Sequence, residues 1–221
     1  MIRQYFNLTN KCNVECPFCC MWSGKSKHTF LSFDNFKEII DSKTDQFELQ
    51  LEGGEPFLHP SLYLFMEYAY STNRCVKIVI STNGILLNDH LERLITFHNT
   101  SKIPFLLKPS INYYLYNLDH QLFKKCKDLY ASIEFIEGFD IKFNVRIGKE
   151  AGWLIEKLKD NNLFEHSNVF EFQAYGRFEN RTDYKKPFIC QNIDDWFIYA
   201  SDGTCFNKEL IVRSQYEKYL L

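Results

Sequence analysis

Strand-like and helix-like segments alternate along this chain, which predicts an α/β fold with parallel strands. Three observations carry the reading. Short apolar runs, several with period-2 alternation, recur near residues 3–8, 47–52, 76–81, 105–111, 140–147 and 168–174. Between them lie segments with the apolar spacing of helices. Finally, 221 residues with 45% hydrophobic content suffice for one substantial core and are short for two. Alternation of this length implies right-handed crossovers between parallel strands. Six strands and five helices fit a doubly wound open sheet or a barrel equally well, and no internal repeat or low-complexity stretch interrupts them.

The first strand, 3–8, is followed by a cysteine-bearing loop and then by a helix over 32–40, with Ser32 placed to cap it. The second strand carries Phe47-Glu-Leu-Gln-Leu51, the clearest alternation in the chain, and a helix from Leu62 to Tyr70 follows. The third strand, Val76-Lys-Ile-Val-Ile80, precedes a helix from Asp89 to Phe97. The remaining helices run from Asp119 to Tyr130 and from Glu150 to Lys159, each ahead of the next strand. Past the sixth strand, Phe197-Ile-Tyr-Ala-Ser-Asp-Gly-Thr204 reads as a hairpin that brings Cys190 and Cys205 near each other.

Composition excludes some functions. A net charge of −2 lacks the basic footprint of general nucleic-acid binding, and Lys124-Lys-Cys-Lys127 reads as a solvated helix face. No segment approaches the roughly 18 consecutive apolar residues of a membrane span. The N-terminal Met-Ile-Arg-Gln-Tyr-Phe-Asn-Leu-Thr-Asn10 is no signal peptide, so a cytoplasmic location with reduced thiols is expected. The 21 Phe, 13 Tyr and 3 Trp supply large buried areas to the core.

Chemistry is concentrated in Cys12-x3-Cys16-x2-Cys19. Three close thiolates can hold a metal centre without saturating it, and a 4Fe-4S cluster on this loop would keep one iron open to a non-protein ligand. Zinc is the alternative, although His28 and His59 match no zinc-ligand spacing. Two turns follow strands. In Leu51-Glu-Gly-Gly-Glu-Pro56 the paired glycines permit a sharp turn, and Glu55 offers a carboxylate suited to an ammonium group; a plain Gly-Gly turn with a solvated Glu is the competing reading. Ser81-Thr-Asn-Gly84 is, alone, an Asn-Gly turn.

In order, these motifs resemble the radical S-adenosylmethionine (SAM) superfamily. Asn7-Leu-Thr-Asn-x-Cys12, Gly53-Gly-Glu-Pro-Phe-Leu-His-Pro60 and Ser81-Thr-Asn-Gly-Ile-Leu-Leu87 are similar to its sulfatase-maturase and peptide-maturase branch. The resemblance implies a partial (β/α)6 TIM-type barrel over residues 1–180, with its motifs at the strands' carboxyl ends, where barrel active sites lie. It also implies a short C-terminal hairpin extension over 181–221, a truncated relative of the SPASM/twitch extension. Implied cofactors are a 4Fe-4S cluster on Cys12, Cys16 and Cys19, and SAM chelated to the open iron. Glu55 with the Gly53-Gly54 backbone would receive the SAM ammonium, and Phe18 would meet the adenine through its backbone. Ser110 would contact the ribose, where Asn112 stands in place of the branch's usual Asp, and Arg146 would pair with the SAM carboxylate. A strand-end surface Arg is the competing reading for Arg146. Gln173-Ala-Tyr-Gly-Arg177 resembles the segment that closes over the adenine.

Of the other cysteines, Cys20 reads as a bystander, Cys75 and Cys126 as buried small hydrophobes, and Cys190 and Cys205 as a reduced pair too small for a second cluster. The expected function is radical hydrogen abstraction from a peptide or protein side chain, with electrons from a reduced flavodoxin- or ferredoxin-type donor. No leader-recognition segment is read ahead of Cys12, so a small-molecule radical enzyme similar to the deazaguanine-forming carbon insertases, or a glycyl-radical activase, stays open. A zinc-binding structural protein is the alternative of a different class.

Overall fold

The computed structural model describes residues 1–149, 152–186 and 195–221. They form two compact units, one of Met1–Ile80 with Gln173–Leu221 and the other of Ser81–Phe172. Both units are built from parallel strands and helices, as the alternation predicts.

In the first unit β1 (Ile2–Asn7) pairs on one side with β2 (Phe47–Glu52) and on the other with a late strand, β8 (Trp196–Tyr199), while β2 continues to β3 (Cys75–Thr82). Helices α1 (Phe33–Asp41) and α2 (Leu62–Ser71) cover one face. Ser32 caps α1 as expected, its Oγ accepting from the Asn35 backbone N–H at 3.1 Å. Phe6 stacks on Tyr199 at 4.6 Å and meets Phe36 of α1 at 4.8 Å, and Phe36 in turn meets Phe65 of α2 at 4.6 Å.

The other face of β1 and β2 is polar yet largely buried. A parallel strand covered on both sides normally reads as a continuous apolar run, whereas β2 alternates Phe, Glu, Leu, Gln, Leu, Glu with every residue but the last buried. Register places Arg3 beside Glu48, Tyr5 beside Gln50 and Asn7 beside Glu52. Arg3 pairs with Glu48 at 3.7 Å, and Gln50 donates to the same carboxylate. Burial, then the Glu52 carboxylate, pushes the Tyr5 phenol up to about 12. Retaining charged groups under cover is costly unless they are paired, as Glu48 is here.

The second unit contains α3 (Leu87–Ser101), β4 (Phe105–Asn112), α4 (Tyr113–Leu118), α5 (Leu122–Ile133), β5 (Phe139–Ile141), β6 (Phe143–Ile147), α6 (Gly152–Asp160) and β7 (Ser167–Glu171). β6 lies between β4 and β7, and β5 pairs with the first half of β4. The single strand expected over 140–147 is thus divided. Register against β4 is unchanged across the break, which falls opposite Lys108 and Pro109, and Pro109 has no N–H to give the ladder. The helix expected from Asp119 starts at Leu122, because the Asp119 carboxylate accepts from Gln121 N–H at 2.9 Å and holds a turn there. Among the described residues, no helix is long and apolar enough to cross a membrane.

Cys75 and Cys126 are buried as expected. Cys190 lies outside the described residues. Cys205 does follow a reversal: Tyr199 and Cys205 form an antiparallel bridge, closed by Ala200 N–H to the Thr204 carbonyl at 2.9 Å. Helix α7 (Leu210–Glu217), absent from the sequence reading, completes the first unit.

His59, at the end of the Gly-Gly-Glu-Pro segment, is buried between Phe30 and Phe65. One tautomer satisfies both ring nitrogens: Nε2 donates to the Leu31 carbonyl at 3.0 Å and Nδ1 accepts from Ser61 N–H at 3.1 Å. Burial lowers its pKa to about 4, so the folded protein keeps it neutral. A depressed histidine contributes stability that is full above the unfolded value near 6.5 and is lost as pH falls toward the folded value. Urea unfolding should show this contribution reduced by about 2 kcal/mol at pH 5 relative to pH 7, with the difference flattened in His59→Gln.

Candidate functional site

The cysteine loop leaves the carboxyl end of β1 and is tied at its base. Leu8 N–H donates to the Glu52 carbonyl at 2.9 Å, and Leu31 N–H returns to the Leu8 carbonyl at 2.8 Å. Asn10 receives Thr29 N–H on its Oδ1 at 2.9 Å, while Cys12 N–H reaches the Gly24 carbonyl at 3.0 Å. Cys12 is buried, and Cys16 and Cys19 are half-buried. Burial, followed by the neighbouring Cys19 and Cys12 thiols, pushes Cys16 up to about 12; burial also raises Cys19, with Cys20 adding to it. Cys16 is therefore within electrostatic reach of both Cys12 and Cys19. No group of three His, Cys, Asp or Glu side chains among the described residues converges on one metal-ion position.

The glycine pair after β2 holds this loop. A Cβ on Gly53, whose φ is +137°, would lie 2.0 Å from Asn7 Oδ1 and 2.6 Å from the Thr9 carbonyl. On Gly54 it would lie 2.1 Å from the Lys11 carbonyl. The bare backbones are stitched together, Gly54 N–H to Thr9 O at 2.6 Å and Glu55 N–H to Lys11 O at 2.9 Å. The glycines thus provide close approach, to the cysteine loop itself. Glu55 is 0% exposed, so the solvated-Glu reading is wrong. Its carboxylate accepts from Phe57 N–H at 3.3 Å and caps the short 3-10 turn Pro56–Leu58.

A second clamp comes from the segment after residue 173. Gly176, at φ +62°, brings its backbone against Cys19 and Cys20, and Arg177 bonds to the loop through both its N–H and its guanidinium. Phe18 packs edge-on to Phe178 at 6.1 Å. Helix α7 supports the loop by its polar side. Arg213, 4% exposed, donates to Glu52 at 2.7 Å, Ser214 bonds the Cys20 carbonyl, and Glu217 receives Asn7 and Ser201.

In the second unit, Asn112, Arg146 and Phe170 form one row across β4, β6 and β7, with Ser110, Asn144 and Asn168 in the next row on the same face. Ile111 and Val145, on the opposite face, are fully buried. Asn112 Oδ1 caps α4 by accepting from Leu115 N–H at 2.9 Å, a role open to Asp as well. The Arg146 guanidinium lies 4.7 Å over the Phe170 ring. Thr82 and Asn83 fold the Asn-Gly turn, their side chains accepting from Gly84 and Ile85 N–H at 3.0 Å each. A cavity of about 250 Å³ opens beside it, lined by Asn83, Gly84, Ser110, Leu115 and Cys126 among others.

The sequence profile described as the Radical SAM superfamily matches residues 6–102, the stretch with all three motifs. Over these residues the chain is similar to the radical SAM superfamily. That likeness implies a 4Fe-4S cluster and SAM, and the thiols of Cys12, Cys16 and Cys19 on one loop are donors suited to such a cluster. A radical SAM likeness also links the chain to named proteins. The antilisterial bacteriocin subtilosin biosynthesis protein AlbA of Bacillus subtilis is 33% identical over 95 residues, 42% of this chain and 21% of AlbA. A GTP 3′,8-cyclase of Aliarcobacter butzleri is 25% identical over 93 residues, 40% of this chain and 29% of the cyclase. Among solved structures, Streptococcus suis SuiB bound to precursor peptide SuiA matches with a TM-score of 0.60 at 15% identity, over 85% of this chain and 42% of SuiB. SuiB has also been solved bound to S-adenosylmethionine. The chain spans about a fifth to a third of the curated relatives named here and 42% of SuiB. The likeness to SuiB shows the fold, the α/β partial TIM-type barrel expected above.

Of the residues picked from sequence, Cys12, Phe18, Cys16, Cys19, Gly53, Gly54 and Glu55 belong to the first unit, and Ser110, Asn112 and Arg146 share one sheet face in the second. Sequence reasoning missed Arg213 and Glu217, whose only signal was polar residues at positions that pattern reading assigns to solvent, and gave Asn7 no role beyond opening its motif. Adding a methyl at Gly54 has no room to relax, since the contact is backbone on backbone. Gly54→Ala is expected to destabilise the protein by at least about 2 kcal/mol in chemical unfolding, and to loosen Cys12 and Cys16 toward thiol reagents.

Proposed function

We propose that this chain is the catalytic part of a radical SAM enzyme whose Cys12, Cys16 and Cys19 each hold one iron of a 4Fe-4S cluster, leaving the fourth for SAM. The observation that carries the reading is the cysteine loop, with Cys16 in electrostatic reach of Cys12 and Cys19 and its backbone stitched to a Gly-Gly turn that ends in the buried Glu55. Held there, cluster and SAM would supply one-electron radical chemistry that removes a hydrogen atom from the substrate, with the electron drawn from an external donor.

The chain's own residues bind and orient. Glu55 and the Gly53-Gly54 carbonyls receive the SAM ammonium, for which a buried carboxylate is a strong acceptor. The Phe18 backbone meets the adenine. By the family resemblance, Ser110 and Asn112 contact the ribose and Arg146 holds the carboxylate. By the same resemblance, residues 1–180 are the core and 181–221 a SPASM/twitch-like extension, whose strand β8 pairs with β1. A reduced flavodoxin- or ferredoxin-type protein supplies the electron.

The substrate is a peptide or protein side chain. AlbA's name refers to bacteriocin biosynthesis and SuiB was solved with a precursor peptide, which supports this choice. A second reading, a small-molecule substrate, is favoured by the match to GTP 3′,8-cyclase.

Anaerobically reconstituted protein should hold about four irons per chain and, with SAM and a strong reductant, release 5′-deoxyadenosine without its substrate. Ala at Cys12, Cys16 or Cys19 should abolish the cluster, and Cys20→Ala should keep it. Glu55→Ala should retain the cluster while cutting 5′-deoxyadenosine release at least about tenfold, through loss of a charged hydrogen bond. Zinc in place of iron, or intact SAM after prolonged incubation of a loaded cluster, contradicts the proposal.

A further inference from the structure

Arg177 reaches the cysteine loop from 158 residues along the chain, counted from Cys19, and it does so because Gly176 precedes it. A Cβ on Gly176 would lie 2.4 Å from Cys20 Cα and 2.5 Å from the Cys19 carbonyl, so no other residue brings the backbone this close. Three contacts follow. The Arg177 N–H donates to the Cys19 carbonyl at 3.0 Å. Its Nη1 donates to the Cys16 carbonyl at 3.3 Å and its Nη2 to the Ser23 carbonyl at 2.7 Å. One residue thus grips the peptides of two of the three candidate ligands and the far limb of their loop.

The guanidinium suits this task for two separate reasons. Its planar fork satisfies two carbonyls in fixed directions, which a lysine ammonium does less well. These carbonyl partners are neutral, so the positive charge is not cancelled by them. The carboxylate on that side is Glu15, across Gly24: a Cβ on Gly24 would lie 2.9 Å from Glu15 Oε1 and 3.3 Å from Arg177 Nη2. Glu15 is solvent-exposed and so screened, whereas Arg177 is half-buried against the loop. A cluster held by three thiolates gains a further negative charge when it accepts an electron, and a nearby cation favours that form; charge and hydrogen bonding are among the levers that set such potentials.

We propose that Arg177 is a positioning residue for the cluster, stapling the loop by the carbonyls of Cys16, Cys19 and Ser23 and raising the reduction potential through its charge. The proposal rests on the cluster reading above and adds to it a role for a residue outside the three-cysteine motif.

The test uses the full chain with Arg177→Gln and Arg177→Lys, reconstituted anaerobically without SAM. Iron content, circular dichroism and the midpoint potential from an EPR-monitored redox titration are read for each. The glutamine variant should hold its cluster at a potential shifted below wild type, with lysine restoring most of the shift. If the glutamine variant loses iron while the lysine variant keeps it, the stapling cation is likewise supported. A glutamine variant with wild-type iron and potential overturns the proposal. A wild-type chain that holds no 4Fe-4S cluster removes the functional reading itself, and the inference with it.

Discussion

The contact of two bare backbones, Gly53-Gly54 against Thr9 to Lys11, is the constraint on which the rest of the site depends. Neither glycine has room for a methyl group, and the two N–H bonds across the contact fix the start of the cysteine loop to the end of β2. Because β1 and β2 are in parallel register from Ile2 with Phe47 to Asn7 with Glu52, both chain segments emerge at the same end of the sheet. The loop and the glycine turn are thereby adjacent before any cofactor is present. Glu55 is buried as a direct result, since the turn that brings it there has its other side closed by Lys11.

Much of this was legible in the sequence. Period-2 alternation located β2, and the apolar runs located β1, β3, β4 and β7 to within a few residues. The motifs identified the loop, the glycine turn and the Asn-Gly turn because each uses residue types with strong local preferences. Two features escaped. Strand β8 is four residues long, and its apolar run was read as half of a hairpin; the reversal to Cys205 exists, but the strand's partner is β1, in parallel, nearly two hundred residues away. Helix α7 escaped because its buried positions are Arg213, Ser214 and Glu217, while Leu210 and Val212 are exposed. Hydrophobic periodicity points such a helix the wrong way round.

That inversion has a physical reason. The ends of β1 and β2 present Asn7 and Glu52, which need partners once covered, and only a helix with a polar inner side can satisfy them. Burial raises the Glu217 carboxyl even though Ser201 and Asn7 donate to it, which shows how closely the helix end is enclosed. The same economy runs down β2, where Glu48 and Gln50 are buried beside the half-buried Tyr5 and the more exposed Arg3. In the second unit the division is cleaner, with Ser110, Asn112, Asn144 and Arg146 on one face and Ile111 and Val145 on the other. Strands that are polar on one buried face are poor packing elements and good binding ones.

The central claim is that this loop presents an open iron to SAM, and electron-nuclear spectroscopy tests it most directly. The reduced cluster should give a 4Fe-4S EPR signal that changes on adding SAM, with hyperfine coupling from ¹⁵N in the SAM amino group and ¹⁷O in its carboxylate. A signal indifferent to SAM, with no coupling from either label, would contradict the account.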